Sequence, residues 1–115
     1  MINKFKVWQK DEKRFLTDEE IKFFTLDDMK YDDPHLFIQF TGMNDSAIDG
    51  EEIYTGDIIE NCDTKSLQIV YWNYDKCAWY CYYVGDENRI VSLSDSIGNL
   101  NKKVGNIFEN PNLLQ

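Results

Sequence analysis

Two β-rich runs, Leu67–Trp72 and Ala78–Val84, stand on either side of the polar tetrapeptide Asn73-Tyr74-Asp75-Lys76. Branched and aromatic residues at this density, closed by a short polar turn, predict an antiparallel hairpin. Three more short strands are expected nearby. Gly56-Asp57 leads into Ile58-Ile59-Glu60-Asn61, the turn Gly85-Asp86-Glu87-Asn88 leads into Arg89–Leu93, and a loop over 94–103 leads into Val104–Phe108. Five short strands with regular turn signals predict a small, strongly bent antiparallel barrel of the SH3-like kind.

Before this half, Phe5 and Val7 pair naturally with Arg14-Phe15-Leu16 across a polar turn at Gln9–Lys13. Thr17-Asp18-Glu19-Glu20 has the form of a capping box, Thr17 at the N-cap and Glu20 three residues on. It predicts a short helix over 17–24, with Ile21, Phe24 and Met29 as a blurred apolar face. Asp32-Asp33-Pro34 breaks what precedes it. His35–Thr41 reads as a strand ended by Gly42, and Met43–Glu52 as a polar loop with turns at Asn44-Asp45 and Asp49-Gly50. The expected architecture is therefore mainly β, in a single domain over 1–115. It comprises an N-terminal β-arm at 1–55, a barrel-like half at 56–108, a tail at 109–115 and at most one short helix.

At 115 residues, 43% of them hydrophobic, the chain is large enough for one core without disulfides or metal. No apolar run approaches a membrane span, and Met1–Trp8 lacks the apolar segment of a signal peptide, so a cytosolic protein is expected. Cys62, Cys77 and Cys81 are an odd set without secretory context and read as buried free thiols. The net charge of −9 is uneven. Residues 1–16 are net +3, residues 17–60 carry thirteen acids against two lysines, and residues 61–115 are net −1. Such a chain repels nucleic-acid phosphates, so direct nucleic-acid binding is disfavoured. The acidic stretch reads as a solvated surface, or else as a negative face that recruits a basic partner or imitates DNA.

No catalytic set assembles from the sequence. His35, the sole histidine, reads as an edge residue. No Ser, Cys or Thr lies in a nucleophile-elbow context, and the six glycines stand singly, which excludes a phosphate-cradling loop. Adjacent acids such as Asp27/Asp28 and Glu51/Glu52 do not face one another across a cleft as glycoside hydrolysis requires. A calcium loop counted from Asp45 fails at Ala47 and at Gly56, where the bidentate Glu should stand. No catalytic residue, metal ligand or cofactor is assigned.

The run Leu36-Phe37-Ile38-Gln39-Phe40-Thr41-Gly42-Met43, followed by Gly50-Glu51-Glu52-Ile53-Tyr54-Thr55-Gly56-Asp57-Ile58-Ile59, resembles the core signature of the YopX family. Lys4-Phe5-Lys6-Val7-Trp8 and Val104-Gly105-Asn106-Ile107-Phe108-Glu109-Asn110-Pro111 are similar to its opening and closing motifs. The resemblance implies a protein encoded by a phage or prophage, acting in the host bacterial cytoplasm, and points to no particular reaction. The function expected is that of a non-catalytic accessory protein working by protein contact, with itself or with a host factor. The alternatives are a small hydrolase using carboxylates and His35, or an acidic DNA mimic. Trp72, Tyr74, Tyr80 and Tyr82 on the aromatic hairpin, with Leu113 and Leu114 in the tail, form the candidate contact surface. A small barrel buries only one face of such a hairpin, so the other must pack on the N-terminal segment, a second subunit or a ligand.

Overall fold

The computed structural model describes residues 5–22, 35–45, 50–99 and 101–114. Two antiparallel sheets carry the fold. The first contains β1 (Phe5–Gln9), β2 (Arg14–Phe15), β3 (His35–Asn44) and β4 (Glu52–Tyr54), in the order β2-β1-β3-β4. The second contains β5 (Asp57–Glu60), β6 (Leu67–Asn73), β7 (Ala78–Tyr83), β8 (Asp86–Ser92) and β9 (Lys102–Asn106), in the order β8-β7-β6-β5-β9. Chain order runs β5 to β8 as a meander, and β9 then returns to pair with β5. This is the expected barrel-like half. Bulges between Ile58 and Ile59 on β5, and between Tyr82 and Tyr83 on β7, supply the curl.

The chain is mainly β, with α1 (Asp18–Lys22), α2 (Leu93–Gly98) and a 3-10 turn at Pro111–Leu114. The capping box forms as the sequence predicts. Glu20 N–H donates to Thr17 Oγ1, and Thr17 N–H donates back to Glu20 Oε1. Residues 23 and 24 of the expected helix, the break at Asp32–Pro34 and the Asp49 turn lie outside the described residues. The second helix, α2, fills part of the stretch read as a loop. Ser92 caps it by accepting from Asp95 N–H, and Leu93 and Ser96 are its buried face. β3 also runs past Gly42 to Asn44, because a register shift between Phe40 and Asn44 absorbs the glycine at φ 85° instead of ending the strand.

Glu20 yields a pH prediction. Hydrogen bonds from Arg14, then from Thr17 N–H, hold its carboxyl down at about 2 against a usual 4.5. A carboxylate depressed on folding stabilises the fold above its unfolded value, and that support disappears as pH falls through the folded value. An NMR titration of the Glu20 side-chain carboxyl should show a midpoint near 2; a midpoint at 4.5 would show that the Arg14 fork does not persist in solution.

The two sheets share their cores. Ile59, Val70, Cys81 and Leu93 of the barrel half are buried with Ile53 from β4, and Met43 from β3 packs on them. In the other direction Trp8, Ile38 and Tyr54 form a second cluster, against which Phe108 from beyond β9 packs. β5 lies where the layers meet, and Asp57, Ile58 and Ile59 are all buried, so neither of its faces is solvated. The cysteines divide. Cys81 is buried, and desolvation pushes its thiol up to about 12, which makes it inert. Cys62 and Cys77 are exposed, contrary to the expectation for all three. Cys77 lies in the hairpin turn at φ 50°, not on a strand whose side chains alternate into the core.

Candidate interaction surface

The hairpin registers Tyr71 opposite Tyr80, Trp72 opposite Trp79 and Ile69 opposite Tyr82. Side chains opposite one another share a face, so the aromatics divide into two sets. Trp72 and Trp79 meet edge to face, 5.1 Å between ring centroids, on one side. Tyr71, Tyr80 and Tyr82 occupy the other, where the Tyr71 and Tyr82 rings lie 5.7 Å apart. Sequence reasoning grouped Trp72, Tyr74, Tyr80 and Tyr82 in one surface. The structure places Trp72 and Tyr74 together, and Tyr80 and Tyr82 on the opposite face.

The first face opens onto a groove of about 380 Å³ between the sheets, lined by Phe37, Gln39, Thr55, Trp72, Tyr74 and Trp79. Tyr74 is 83% exposed and Trp72 36%, and both tolerate water only at an apolar cost. Phe37, Gln39 and Thr55 have no local signal that ties them to this groove, because they reach it only when the first sheet docks on the hairpin. On the second face a shallower hollow of about 340 Å³ is lined by Tyr71, Tyr82 and Glu87. Tyr80 and Tyr82 are half-buried, and Ile90, opposite Tyr82 on β8, is exposed.

Leu113 and Leu114 belong to neither face. They are half-buried in the 3-10 turn, and Leu113 Cδ1 stands 3.2 Å from where a β-carbon on Gly105 would be. Gly105 is on β9, at the edge of the sheet with β6 and β5 between it and β7. The tail is tied there by Asn106, whose Oδ1 accepts from Phe108 N–H and Glu109 N–H and whose own N–H donates to Asn110 Oδ1.

Buried polar groups form two centres that the sequence did not single out. Asp57, 2% exposed, accepts from Tyr54 N–H at 2.6 Å and from Lys103 Nζ at 3.0 Å. Desolvation still holds its carboxyl above the usual range, opposed by these two donors. Asp45 is buried alongside, accepting Glu51 N–H on one oxygen and Lys103 N–H on the other. That carboxylate is therefore committed to the backbone and not set out as a cation ligand. Lys6 lies 4.4 Å from the Tyr54 ring centroid, over the same junction. In the second centre Ser96 Oγ donates to Gln68 Oε1, Asn101 Nδ2 to Ser96 Oγ, and Asn61 Nδ2 to Asn101 Oδ1. Each of these groups has a structural partner, and the chain they form ties β6 to α2 and the start of β9.

The remaining sequence-derived readings find less purchase. His35 opens β3 opposite Gln9, and its side chain lies outside the described residues, as do Asp27, Asp28, Asp32, Asp33 and Asp49 of the acidic stretch. Of the other acids there, Asp45 and Asp57 are buried and Glu20 is paired with Arg14. Among the described residues no three His, Cys, Asp or Glu side chains come together as a metal site, and no helix is long and apolar enough to cross a membrane.

A crystal structure of protein EF1440 from Enterococcus faecalis is similar in fold, with a TM-score of 0.61 at 20% sequence identity, covering 100% of this chain and 99% of that one. No curated protein matches the sequence. The sequence model of the YopX protein family matches residues 24–115, which include β3 through β9 and the Asn106 turn. With that match over most of its length, the chain belongs to the YopX family.

Proposed function

We propose that this YopX-family protein is a phage or prophage accessory protein that works in the host cytoplasm by protein–protein contact, without catalysis. The observation that carries the reading is the inter-sheet groove, where Trp72 and Tyr74 stand in water beside Trp79 and Phe37. Large aromatics of this kind dominate binding energy when a partner desolvates them. The buried ionic centre supports the same reading, since Asp57 and Lys103 are occupied in joining β4, β5 and β9.

The test compares wild-type bait with Trp72→Ser/Tyr74→Ser bait in lysate of the bacterial host. A specific partner should be retained by the wild type and reduced about tenfold by the variant, as expected for the loss of one strong anchor. Unchanged circular dichroism would establish that the variant is folded, and equal retention by both baits would refute the groove. Sedimentation velocity at micromolar concentration tests whether the partner is a second copy. A single species at 13.6 kDa excludes self-association and leaves the host factor.

A further inference from the structure

We propose that the outer face of β6, β7 and β8 is a second docking site, independent of the inter-sheet groove, which receives an arginine side chain of a partner protein between Tyr71 and Tyr82 and against Glu87. The three residues line one hollow of about 340 Å³. Its walls are two tyrosine rings inclined at 58°, and its rim carries a carboxylate. Asn73 Nδ2 donates to Tyr71 Oη at 3.1 Å and fixes that ring. Glu87 lines the hollow with Tyr82, and burial, followed by the charge of Glu87, holds the Tyr82 phenol above its usual range.

The occupant follows from the charge. A π-face beside an anion attracts a cation, and a guanidinium both stacks on tyrosine and forks onto a carboxylate, which an ammonium does less well. The chain already satisfies its neighbouring tyrosines in this way. Arg89 lies 4.2 Å from the Tyr83 ring centroid, and Lys76 lies 5.8 Å from that of Tyr80. Among the described residues no such cation pairs with Glu87, and none lies over the Tyr71 or Tyr82 ring. Exposed Ile90, in register with Tyr82, gives the aliphatic stem of the incoming residue an apolar shelf. The net charge of −9 steers basic partners toward the molecule, and the hollow gives them one place to settle.

The probes are N-acetyl-arginine amide and its neutral isostere N-acetyl-citrulline amide, titrated into the 15N-labelled full chain. Saturable shifts at Tyr71, Tyr82 and Glu87 with the arginine probe, and none with citrulline, are expected. Glu87→Gln should weaken this binding about threefold, the scale of an exposed ion pair. Tyr82→Leu should abolish it, and Glu87→Gln carries the test alone if Tyr82→Leu unfolds. Linear, unsaturated shifts spread over the acidic residues would overturn the proposal as general electrostatics, and so would equal binding by Glu87→Gln. Trp72→Ser/Tyr74→Ser should bind the probe normally, so failure of the groove and failure of this site are read separately.

Discussion

Replacing Lys103 by Met should destabilise the protein by about 3 kcal/mol at neutral pH, with most of that loss disappearing in mild acid. Lys103 Nζ is the cation beside Asp57, and the Asp57 side chain is 3% exposed. Methionine keeps the stem but leaves a buried carboxylate with Tyr54 N–H as its main partner. Removing one member of a buried pair costs far more than the pair contributes net, because the survivor cannot be resolvated. Asp57 limits the damage by taking a proton.

The direction of the pH effect follows from the carboxyl itself. Burial raises the folded Asp57 above its unfolded range even with Lys103 in place. A group raised on folding contributes stability that is full below its unfolded value and is lost as pH rises through its folded value. Without the lysine the folded value climbs further, so wild type and variant diverge as pH rises and converge as it falls. Urea denaturation across that range measures the divergence. The double variant Asp57→Asn/Lys103→Met should return to within about 1 kcal/mol of wild type, since a neutral amide still accepts from Tyr54 N–H. A Lys103→Met loss that is small and independent of pH would mean that the pair is solvated.

These contacts also mark where the sequence stops being legible. Strand periodicity, the capping box and the aromatic hairpin are local signals, and the elements built on them are present. Lys103 falls at the end of the stretch that the sequence marks as a loop, yet it lies in β9 and its backbone N–H reaches Asp45, 58 residues away. Nothing local encodes that meeting. The helix α2 has a cap signal in Ser92 and Asp95, but over six residues there is too little apolar periodicity to set it apart from a loop. The candidate surface was half legible for a related reason. Composition located the aromatics, but the pairing of Trp72 with Trp79 across the hairpin divided them between faces, and the N-terminal sheet made one face a groove by bringing Phe37, Gln39 and Thr55 against Trp72. The tail leucines looked available because chain ends commonly fray. Gly105 offers the tail a close seat, since a β-carbon there would stand 2.6 Å from Asn110 Oδ1 and 3.2 Å from Leu113 Cδ1.

Gly56→Ala should cost about 3 kcal/mol, whereas Gly85→Ala should cost about 1 kcal/mol, although the two glycines have nearly the same backbone. Gly56 has φ 85° and Gly85 has φ 90°, so the left-handed penalty is common to both. Their surroundings differ. A β-carbon on Gly85 meets nothing within 4 Å, whereas one on Gly56 would stand 2.7 Å from Phe108 Cε2 and 3.3 Å from Ile107 Cγ1. Gly56 cannot turn aside, because its N–H donates to Val70 O and its carbonyl accepts from Ile107 N–H. Phe108 must therefore yield, and it packs beside Trp8 and Phe15, with centroids at 5.6 Å and 6.3 Å, where the tail closes over the first sheet. Displacing it opens that cluster, which adds about 2 kcal/mol to the shared backbone strain. Denaturation midpoints of the two variants isolate this packing effect. Adding Phe108→Leu to Gly56→Ala should give a loss smaller than the sum of the two single losses, since the smaller side chain relieves the contact. Equal losses at Gly56 and Gly85 would assign the whole effect to the backbone, and the close seating of Phe108 on Gly56 would then have no energetic role.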